Sequence, residues 1–563
     1  MKIYLIIILW VTNIPNLDAK VSNEDSYVMA AVSKVVNMIS DSTIWNLDSS
    51  GIVGVANPID RLGEALSHGD YNNDGIQDLA IGIPNHDFSF FGTTINNTGV
   101  VLIIYGRSNG LSSFNNQFLY QTFESDPPNL ENINGVESDD FFGKSLASGD
   151  FNCDGITDLA VGTPEEDYNT INPAIRQNVG AINVFYGSIN GFADLGAGST
   201  FLFQGTGLGI FFDGSISAND RFGWSMTTGD FNGDDCDDLA VSAPFEDFGN
   251  PSPTIIDAGQ VEVYYGRAQG LSGESEFRDS LSQQSDDIPE SSSETNDQFG
   301  LSLTAGDYSL AGIGSNNFDF LAVGIPGEDI NNVTNAGAVQ VFEGGSNGID
   351  LQNTSVIWSQ AGDIIGIVEE HDRFGSSLTT GDFNNDFVDD LVVGVPREDI
   401  NSSGINDAGS INIIYGDSFG LSSANNQSFH QNFNGIIGTA ENSDQFGDVL
   451  TSGDLNNDSF DDLVVGVPRE NSSSGAFHIL YGSISGITTD NNEYQTNNFS
   501  PLDEMGFSMT IADFGNGGEL AVGIPGDDIF NGNNDVGAVE VFKFTQPMLP
   551  ELIFSNSFEG LSF

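Results

Sequence analysis

The stretch Gly69–Pro84, GDYNNDGIQDLAIGIP, decides the fold because its acidic turn leads directly into an apolar strand. Oxygen-bearing side chains occupy positions one, three, five and nine of the turn: Asp70, Asn72, Asp74 and Asp78. The apolar run Leu79–Ile83 follows at once and ends at a proline, which is typical of a short buried strand. A helical calcium hand would instead carry a glutamate at position twelve. The sequence therefore predicts that this loop is the turn of a β-hairpin.

Alternating oxygen side chains of this kind suit a hard cation. Calcium takes about six to eight oxygen ligands at roughly 2.3–2.6 Å, drawn from carboxylates, amides, backbone carbonyls and water. Gly75, at position six, tolerates the bend that wraps the loop around an ion. The alternative is that the Asp and Asn residues only cap turns, as these residue types often do.

The acidic turn recurs seven times along the chain. Its first aspartate is, in successive copies, Asp70, Asp150, Asp230, Asp307, Asp382, Asp454 and Asp513. Each copy contains a Phe-Gly-like pair, the turn, an apolar strand ending in proline and a Gly-led strand, and every copy except the last continues into a weaker fourth strand. Examples of the fourth strand are predicted at Gln117–Phe123 and Ser355–Gln360. Four short strands repeated seven times predict an all-β fold, a seven-bladed β-propeller of four-stranded blades.

One strand before the first copy and the three strands of the last copy add up to the four strands of one blade. Ser42–Leu47 resembles the weak fourth strand but precedes the first copy, whereas the last copy ends after its third strand near Phe544. We therefore expect the N-terminal strand to close the last blade, which removes an exposed sheet edge. The propeller is predicted to span residues 42–546. An N-terminal segment, 20–41, has the apolar spacing of a short helix, and 547–563 form a C-terminal tail.

Residues 1–19 have the pattern of a secretory signal peptide. Lys2 precedes the apolar core Ile3–Val11, and a small-residue cleavage site ends at Ala19. The alternative is an uncleaved membrane anchor, although the core is shorter than the usual span of ~20 residues. We expect a secreted or cell-surface protein.

Charge and cysteine content exclude several classes of function. Asp and Glu number 81 against 14 Lys and Arg, which gives a formal net charge of −67. Such a surface repels nucleic acid and anionic membranes, since both need basic contacts. The two cysteines, Cys153 and Cys236, fall at different positions of neighbouring loops, and the sequence leaves open whether they are bonded.

The Phe-Gly pairs, the DxNxDGxxD loop and the Gly-Ala-Val strands at Gly337–Val339 and Gly537–Val539 resemble the FG-GAP repeats of the integrin α-chain head. Similar repeats occur in secreted bacterial proteins and in a phospholipase that cleaves glycosylphosphatidylinositol. The resemblance covers about Ser42–Phe544. It implies a seven-bladed propeller with calcium in its hairpins and a protein ligand on the face away from the calcium.

Five loops keep all four oxygen side chains, and position seven is expected to add its backbone carbonyl. The predicted ligands of about five Ca²⁺ ions are Asp70, Asn72, Asp74, Ile76, Asp78, Asp150, Asn152, Asp154, Ile156, Asp158, Asp230, Asn232, Asp234, Cys236, Asp238, Asp382, Asn384, Asp386, Val388, Asp390, Asp454, Asn456, Asp458, Phe460 and Asp462. Asp235, Phe387 and Ser459 replace glycine at position six, which predicts strain in three turns. Copy four has Phe320 at position nine and copy seven is shortened after Asp513, so no calcium is predicted there.

A second acidic set follows the proline that ends each apolar strand. Three residues past it stand Asp87, Asp167, Asp247, Asp329, Asp399, Asn471 and Asp528. Two residues past it stand Glu166, Glu246, Glu328, Glu398, Glu470 and Asp527, with His86 in the first copy. These loops are expected on the face opposite the hairpins. Either the acids bond their own turns, or they form a ring that binds a cationic or metal-bridged partner.

No catalytic constellation stands out. The five histidines have no metal-ligand spacing, and neither a nucleophile elbow nor a phosphate-binding glycine loop occurs. The sequence favours a monomeric, non-enzymatic, calcium-binding adhesion or ligand-binding propeller. One alternative is carbohydrate binding, for which Phe88, Tyr168 and Phe248 would be aromatic platforms. The other is a calcium-dependent polysaccharide-cleaving enzyme, for which Arg176 is the one nearby candidate.

Overall fold

The computed structural model of the chain describes residues 39–544 apart from twelve short segments. These segments are 91–92, 122–135, 168–176, 194–198, 205–216, 249–254, 284–292, 310–317, 351–355, 401–403, 497–500 and 529–534. The described residues form seven four-stranded antiparallel sheets. The predicted helix before Ile39, the signal peptide and the C-terminal tail lie outside the described residues.

The seven sheets are arranged as blades around one axis. The first strand of each blade contacts the first strand of the next, and the seventh returns to the first, so these strands line the axis. The first strands are Leu66–Gly69, Ser145–Gly149, Met226–Gly229, Leu303–Gly306, Ser377–Gly381, Val449–Gly453 and Met509–Ala512. The second strands are Asp78–Ile83, Asp158–Thr163, Asp238–Ala243, Phe320–Ile325, Asp390–Val395, Asp462–Val467 and Glu519–Ile524.

The outer half of each blade consists of its third and fourth strands. The third strands are Val100–Tyr105, Ala181–Phe185, Gln260–Tyr264, Ala338–Phe342, Ser410–Asp417, Ala476–Tyr481 and Ala538–Phe544. The fourth strands of blades one to six are Ser112–Leu119, Thr200–Leu202, Arg278–Leu281, Val356–Trp358, Gly420–Phe429 and Thr488–Thr496. Smaller elements are the hairpin Phe88–Phe90 with Thr93–Ile95, the 3₁₀ turn Ser275–Phe277 and the helical turn Glu470–Ser473.

The N-terminal strand closes the last blade, as predicted. Ile39–Trp45 pairs antiparallel with Ala538–Phe544, and Thr43 stands opposite Val541. The strand begins three residues earlier than the sequence suggested, so Ile39 belongs to a strand and not to a helix. In blade one the fourth strand was predicted too late, because Tyr105 already pairs with Ser112 across a tight turn.

The core lies between the blades because both faces of each sheet pack against a neighbour. All six residues of Asp78–Ile83 and of Val100–Tyr105 are buried, which explains why these strands are continuous apolar runs. The phenylalanine of the Phe-Gly pair, for instance Phe142, is fully buried. Glycine is needed at Gly82, since a Cβ there would overlap the carbonyl oxygen of Gly143 in the next blade. In the described part of the chain, no helix is long and apolar enough to cross a membrane.

Candidate functional site

Five acidic hairpins join the first and second strands of blades one, two, three, five and six. In the first hairpin the carboxylate of Asp70 accepts the backbone N–H groups of Asp74 at 3.0 Å and Gly75 at 2.8 Å. Asp74 Oδ1 accepts the N–H of Ile76 at 3.1 Å. The same three bonds recur in the other four hairpins. The carboxylates at positions one and five therefore shape the turn.

The aspartate at position nine is buried at the base of each hairpin. Asp78 accepts the N–H of Tyr71 at 3.0 Å and the N–H of Gly106, in the turn after the third strand, at 2.8 Å. The equivalent residues Asp158, Asp238, Asp390 and Asp462 also accept from that turn. Burial, followed by the charges of the other loop carboxylates, raises the pKa of each position-nine aspartate to about 8.

The hairpin side chains fit a hard cation by their donor chemistry. Asn232 Oδ1, Asn456 Oδ1 and Asp158 Oδ2 are buried oxygens without a hydrogen-bond partner, and such oxygens are costly unless a donor or cation satisfies them. As the side chains stand, the described residues contain no group of three or more His, Cys, Asp or Glu at metal-binding spacing.

The hairpins of blades four and seven have a different donor set. Phe320 stands opposite Gly306 at position nine, where the other hairpins carry an aspartate. In blade seven Glu519 takes this place, and Asp513 Oδ1 accepts the N–H groups of Gly515 and Gly517.

Aspartates at position eight, which the sequence analysis did not single out, join neighbouring hairpins. Asp237 Oδ2 accepts the N–H of Asp150 at 2.6 Å, and the N–H of Asp237 donates to the carbonyl of Asp150. The same pair of bonds links Asp319 to Asp230, Asp389 to Asp307 and Asp461 to Asp382. The available signal was the repeated aspartate directly before position nine.

The structure answers the question that the two cysteines left open. Cys153, at position four of the second hairpin, is disulfide-bonded to Cys236, at position seven of the third. The bond covalently ties two neighbouring hairpins that each present a candidate metal loop.

On the face opposite the hairpins, the aspartate three residues past the strand-ending proline stabilises its own loop by a hydrogen bond. Asp87 Oδ1 accepts the N–H of Asn97 at 3.0 Å, and Asp167, Asp247, Asp329, Asp399 and Asp528 make the equivalent bond. The glutamate one residue earlier accepts instead from a glutamine of the preceding blade, as Glu246 does from Gln204 at 2.7 Å. Glu166, Glu328, Glu398 and Glu470 repeat this contact. Both acids are thus engaged in loop and blade contacts.

Each of these glutamates also faces a second buried acid. Glu246 shares a hydrogen bond with Asp220, two residues before the Phe-Gly pair. Asp140, Asp297, Asp372 and Asp444 face the corresponding glutamates of their blades. Burial first, and repulsion by nearby carboxylates second or later, raises the pKa of Glu328, Glu398, Asp372 and Asp444 to about 7. In blade one the pair is His86 and Asp60, whose Nδ1 and Oδ1 lie 3.1 Å apart.

Comparison with known families agrees with this geometry. The FG-GAP repeat profile matches residues 62–104, 142–182, 222–264, 374–413 and 446–480. These segments contain the five acidic hairpins and leave out those of blades four and seven. The chain carries five FG-GAP repeats within its seven-bladed propeller. The prediction from the Phe-Gly pairs and the acidic loops is thereby confirmed.

The FG-GAP propeller is similar to parts of two kinds of larger protein. Phosphatidylinositol-glycan-specific phospholipase D of Bos taurus is 30% identical over 201 residues, 36% of this chain and 21% of the phospholipase. Integrin alpha-5 of Xenopus laevis is 26% identical over 257 residues, 46% of this chain and 20% of the integrin. Integrin alpha-PS5 of Drosophila melanogaster is 31% identical over 202 residues, 36% of this chain and 16% of the integrin. The chain thus matches about a fifth of the length of these relatives.

Three hairpins of the FG-GAP propeller carry the backbone strain that their sequences predicted. Asp235, Phe387 and Ser459 replace glycine at position six and have φ values of 65°, 69° and 72°. A residue with a side chain pays roughly 1–2 kcal/mol in this left-handed region. Phe387 is also 79% exposed, so its ring gains little from packing.

Proposed function

We propose that the chain is a secreted, calcium-stabilised propeller that binds a ligand on the face opposite its acidic hairpins. The observation that supports the calcium assignment is the repeated hairpin with its buried position-nine carboxylate, which in blades two, three and six is accompanied by a buried amide or carboxylate oxygen without a partner. Side chains at positions one, three, five and nine, with the position-seven carbonyl, would hold one ion per hairpin. Bound calcium would neutralise the negative charge of the buried position-nine carboxylates.

Secretion is supported by two features of the chain. Residues 1–19 have the charge, apolar core and small-residue end of a signal peptide. The Cys153–Cys236 disulfide fits an oxidising compartment, because disulfides persist outside the cytosol.

A binding role without catalysis is supported by the state of the histidines. Burial lowers the pKa of His68 to about 4 and that of His478 to about 3, which makes both poor acid–base groups at neutral pH. His86 is paired with Asp60, and His371 bonds Asn335. The relatives include both integrins and a phospholipase. Arg176, considered for an enzyme, lies outside the described residues.

Carbohydrate binding is a second candidate, favoured by one cleft on the ligand face. A cavity of about 720 Å³ beside blade one is lined by Phe88, Phe118, Tyr120 and His86. Phe88 and Tyr120 meet edge to face with ring centres 5.7 Å apart. Phe248 bridges to Ile255 within its own loop, and Tyr168 lies outside the described residues. Among the described residues, the aromatic cleft is found at Phe88 in blade one.

Calorimetric titration of the metal-free protein with calcium tests the assignment. We expect about five sites with dissociation constants of about 10⁻⁴–10⁻³ M, typical of extracellular modules. The double variant Asp74→Asn, Asp154→Asn should lose two sites, because an amide is a weaker ligand than a carboxylate. Asp307→Asn, in the hairpin with Phe320 at position nine, is the matched control and should keep all sites. Binding of one or two ions, or equal losses in both variants, would contradict the assignment.

A further inference from the structure

Six of the chain's 14 basic residues lie on one rim of the propeller axis. The rim is on the face opposite the hairpins and has three positions per blade: the residues before and after the Phe-Gly pair and the residue after the strand-ending proline. Its basic members are Arg61, Lys144, Arg221, Arg373, Arg397 and Arg469. Contacts between blades show that these positions approach one another: Arg61 reaches Glu504 at 2.8 Å, and Arg373 donates to Gln298 at 2.6 Å.

Half of these cations are neutralised by rim carboxylates. Arg61 pairs with Glu64 at 2.8 Å as well as with Glu504, and Lys144 contacts the other oxygen of Glu64. Arg221 Nε lies 3.0 Å from Glu165 Oε1. The rim is therefore balanced in charge around blades seven, one, two and three.

The corner between blades five and six is not balanced. The charges of three arginines, Arg373, Arg397 and Arg469, act on one acid, Asp448, and among the described residues none of them forms an ion pair with it within 4.0 Å. Arg397 and Arg469 are exposed, and among the described residues neither forms an ion pair within 4.0 Å. On the rim positions of blades five and six, three arginines therefore stand against one acid, in a chain whose net charge is −67.

The backbone fixes this arrangement. Ser377 Oγ of blade five donates to the carbonyl of Gly447 in blade six at 2.6 Å, and Gly394 has no Cβ that would block the same carbonyl. The end of the second strand of blade five, which leads to Arg397, therefore lies against the residue that precedes Asp448.

We infer that Arg373, Arg397, Arg469 and Asp448 form a site for a carboxylate group of the ligand. This inference rests on the proposed ligand-binding role of this face. Guanidinium groups bind carboxylates through paired, charge-assisted hydrogen bonds, and arginine stays charged at every physiological pH. The negative surface elsewhere repels anions, so a carboxylate would be held only at this corner, and its binding would weaken as salt screens the charges.

Two probes with the same charged group distinguish the source of the carboxylate. A hyaluronan tetrasaccharide carries it on a sugar, and a tetraglutamate peptide carries it on a side chain. Each is titrated into calcium-loaded protein at low salt. We expect at least one probe to bind, and the double variant Arg397→Gln, Arg469→Gln to weaken its binding by about tenfold or more. Asp448→Asn should tighten binding, because it removes the one competing carboxylate.

Arg107→Gln, which removes a partly exposed arginine on the hairpin side of blade one, is the matched control and should bind like the wild type. Melting temperatures that equal that of the wild type show that each variant is folded. Binding of neither probe, or equal binding by the double variant, would overturn the inference. If the same samples still take up calcium, the calcium assignment stands while the carboxylate site falls.

Discussion

Calcium at about 10 mM is expected to raise the melting temperature of the metal-free protein by on the order of 10 °C. A ligand present at about 100 times its dissociation constant stabilises the folded state by about 2.7 kcal/mol per site. Five hairpins of that affinity together contribute on the order of 10 kcal/mol. A propeller of roughly 500 residues has an unfolding entropy near 1 kcal/mol/K, which converts this energy into the stated shift.

Differential scanning calorimetry with calcium and with a chelator measures the shift. Magnesium at the same concentration is the control ion, because it demands a tighter, octahedral shell at about 2.0–2.1 Å. We expect magnesium to stabilise much less than calcium. Equal melting temperatures with calcium and chelator would mean that the loop aspartates act only as turn caps, the role their bonds to backbone N–H groups already show.

The sequence predicts the fold well because each blade repeats the same local pattern of turn residues and apolar strands. Continuous apolar runs such as Leu79–Ile83 need two packed faces, and the Phe-Gly pair needs a close neighbour, so seven copies in phase leave few arrangements open. The extra strand before the first copy and the missing fourth strand of the last copy likewise predict closure, and Ile39–Trp45 does pair with Ala538–Phe544. The errors concern strand limits in the weak fourth strand, where exposed polar residues give little periodic signal.

Contacts between blades were harder to predict than contacts within them. The hydrogen bond from Asp150 to Asp237 and the disulfide from Cys153 to Cys236 join residues more than 80 positions apart. Their partners depend on how neighbouring hairpins face each other, which no local pattern encodes. The acidic set after the proline was found as a pattern, but its glutamates are engaged by glutamines such as Gln204, which lies two residues past the end of the fourth strand of the preceding blade.

A rise in pH from about 6 to about 9 is expected to destabilise the calcium-loaded propeller by a few kcal/mol. The cause is the buried acid pairs within blades, in which burial raises the pKa of Glu328, Glu398, Asp372 and Asp444 to about 7. Their unfolded-state pKa values are about 4, so the folded state binds more protons than the unfolded state between these values. The stabilisation is therefore complete below about pH 4 and is lost as the pH rises through about 7.

Equilibrium denaturation at several pH values, with calcium held constant, measures this slope. Glu328→Gln with Glu398→Gln should flatten it, because glutamine keeps the carbonyl that accepts from Gln283 and Gln360 but cannot ionise. Asp87→Asn is the matched control, since this aspartate holds its own loop and is not a member of a pair. Each removed pair should contribute on the order of 1 kcal/mol to the difference between the two ends of the range.

Blade one has a different pair at this place. There the glutamate is replaced by His86, whose ring bonds Asp60 at 3.1 Å, so a nitrogen and not a second carboxyl faces the buried aspartate. Introducing histidine at Glu398 should therefore change the slope further than glutamine does, because imidazolium attracts a carboxylate that glutamate repels. A stability that rises between about pH 6 and 9, or a slope equal in the wild type and the double glutamine variant, would show that the pairs do not hold a proton in the folded state.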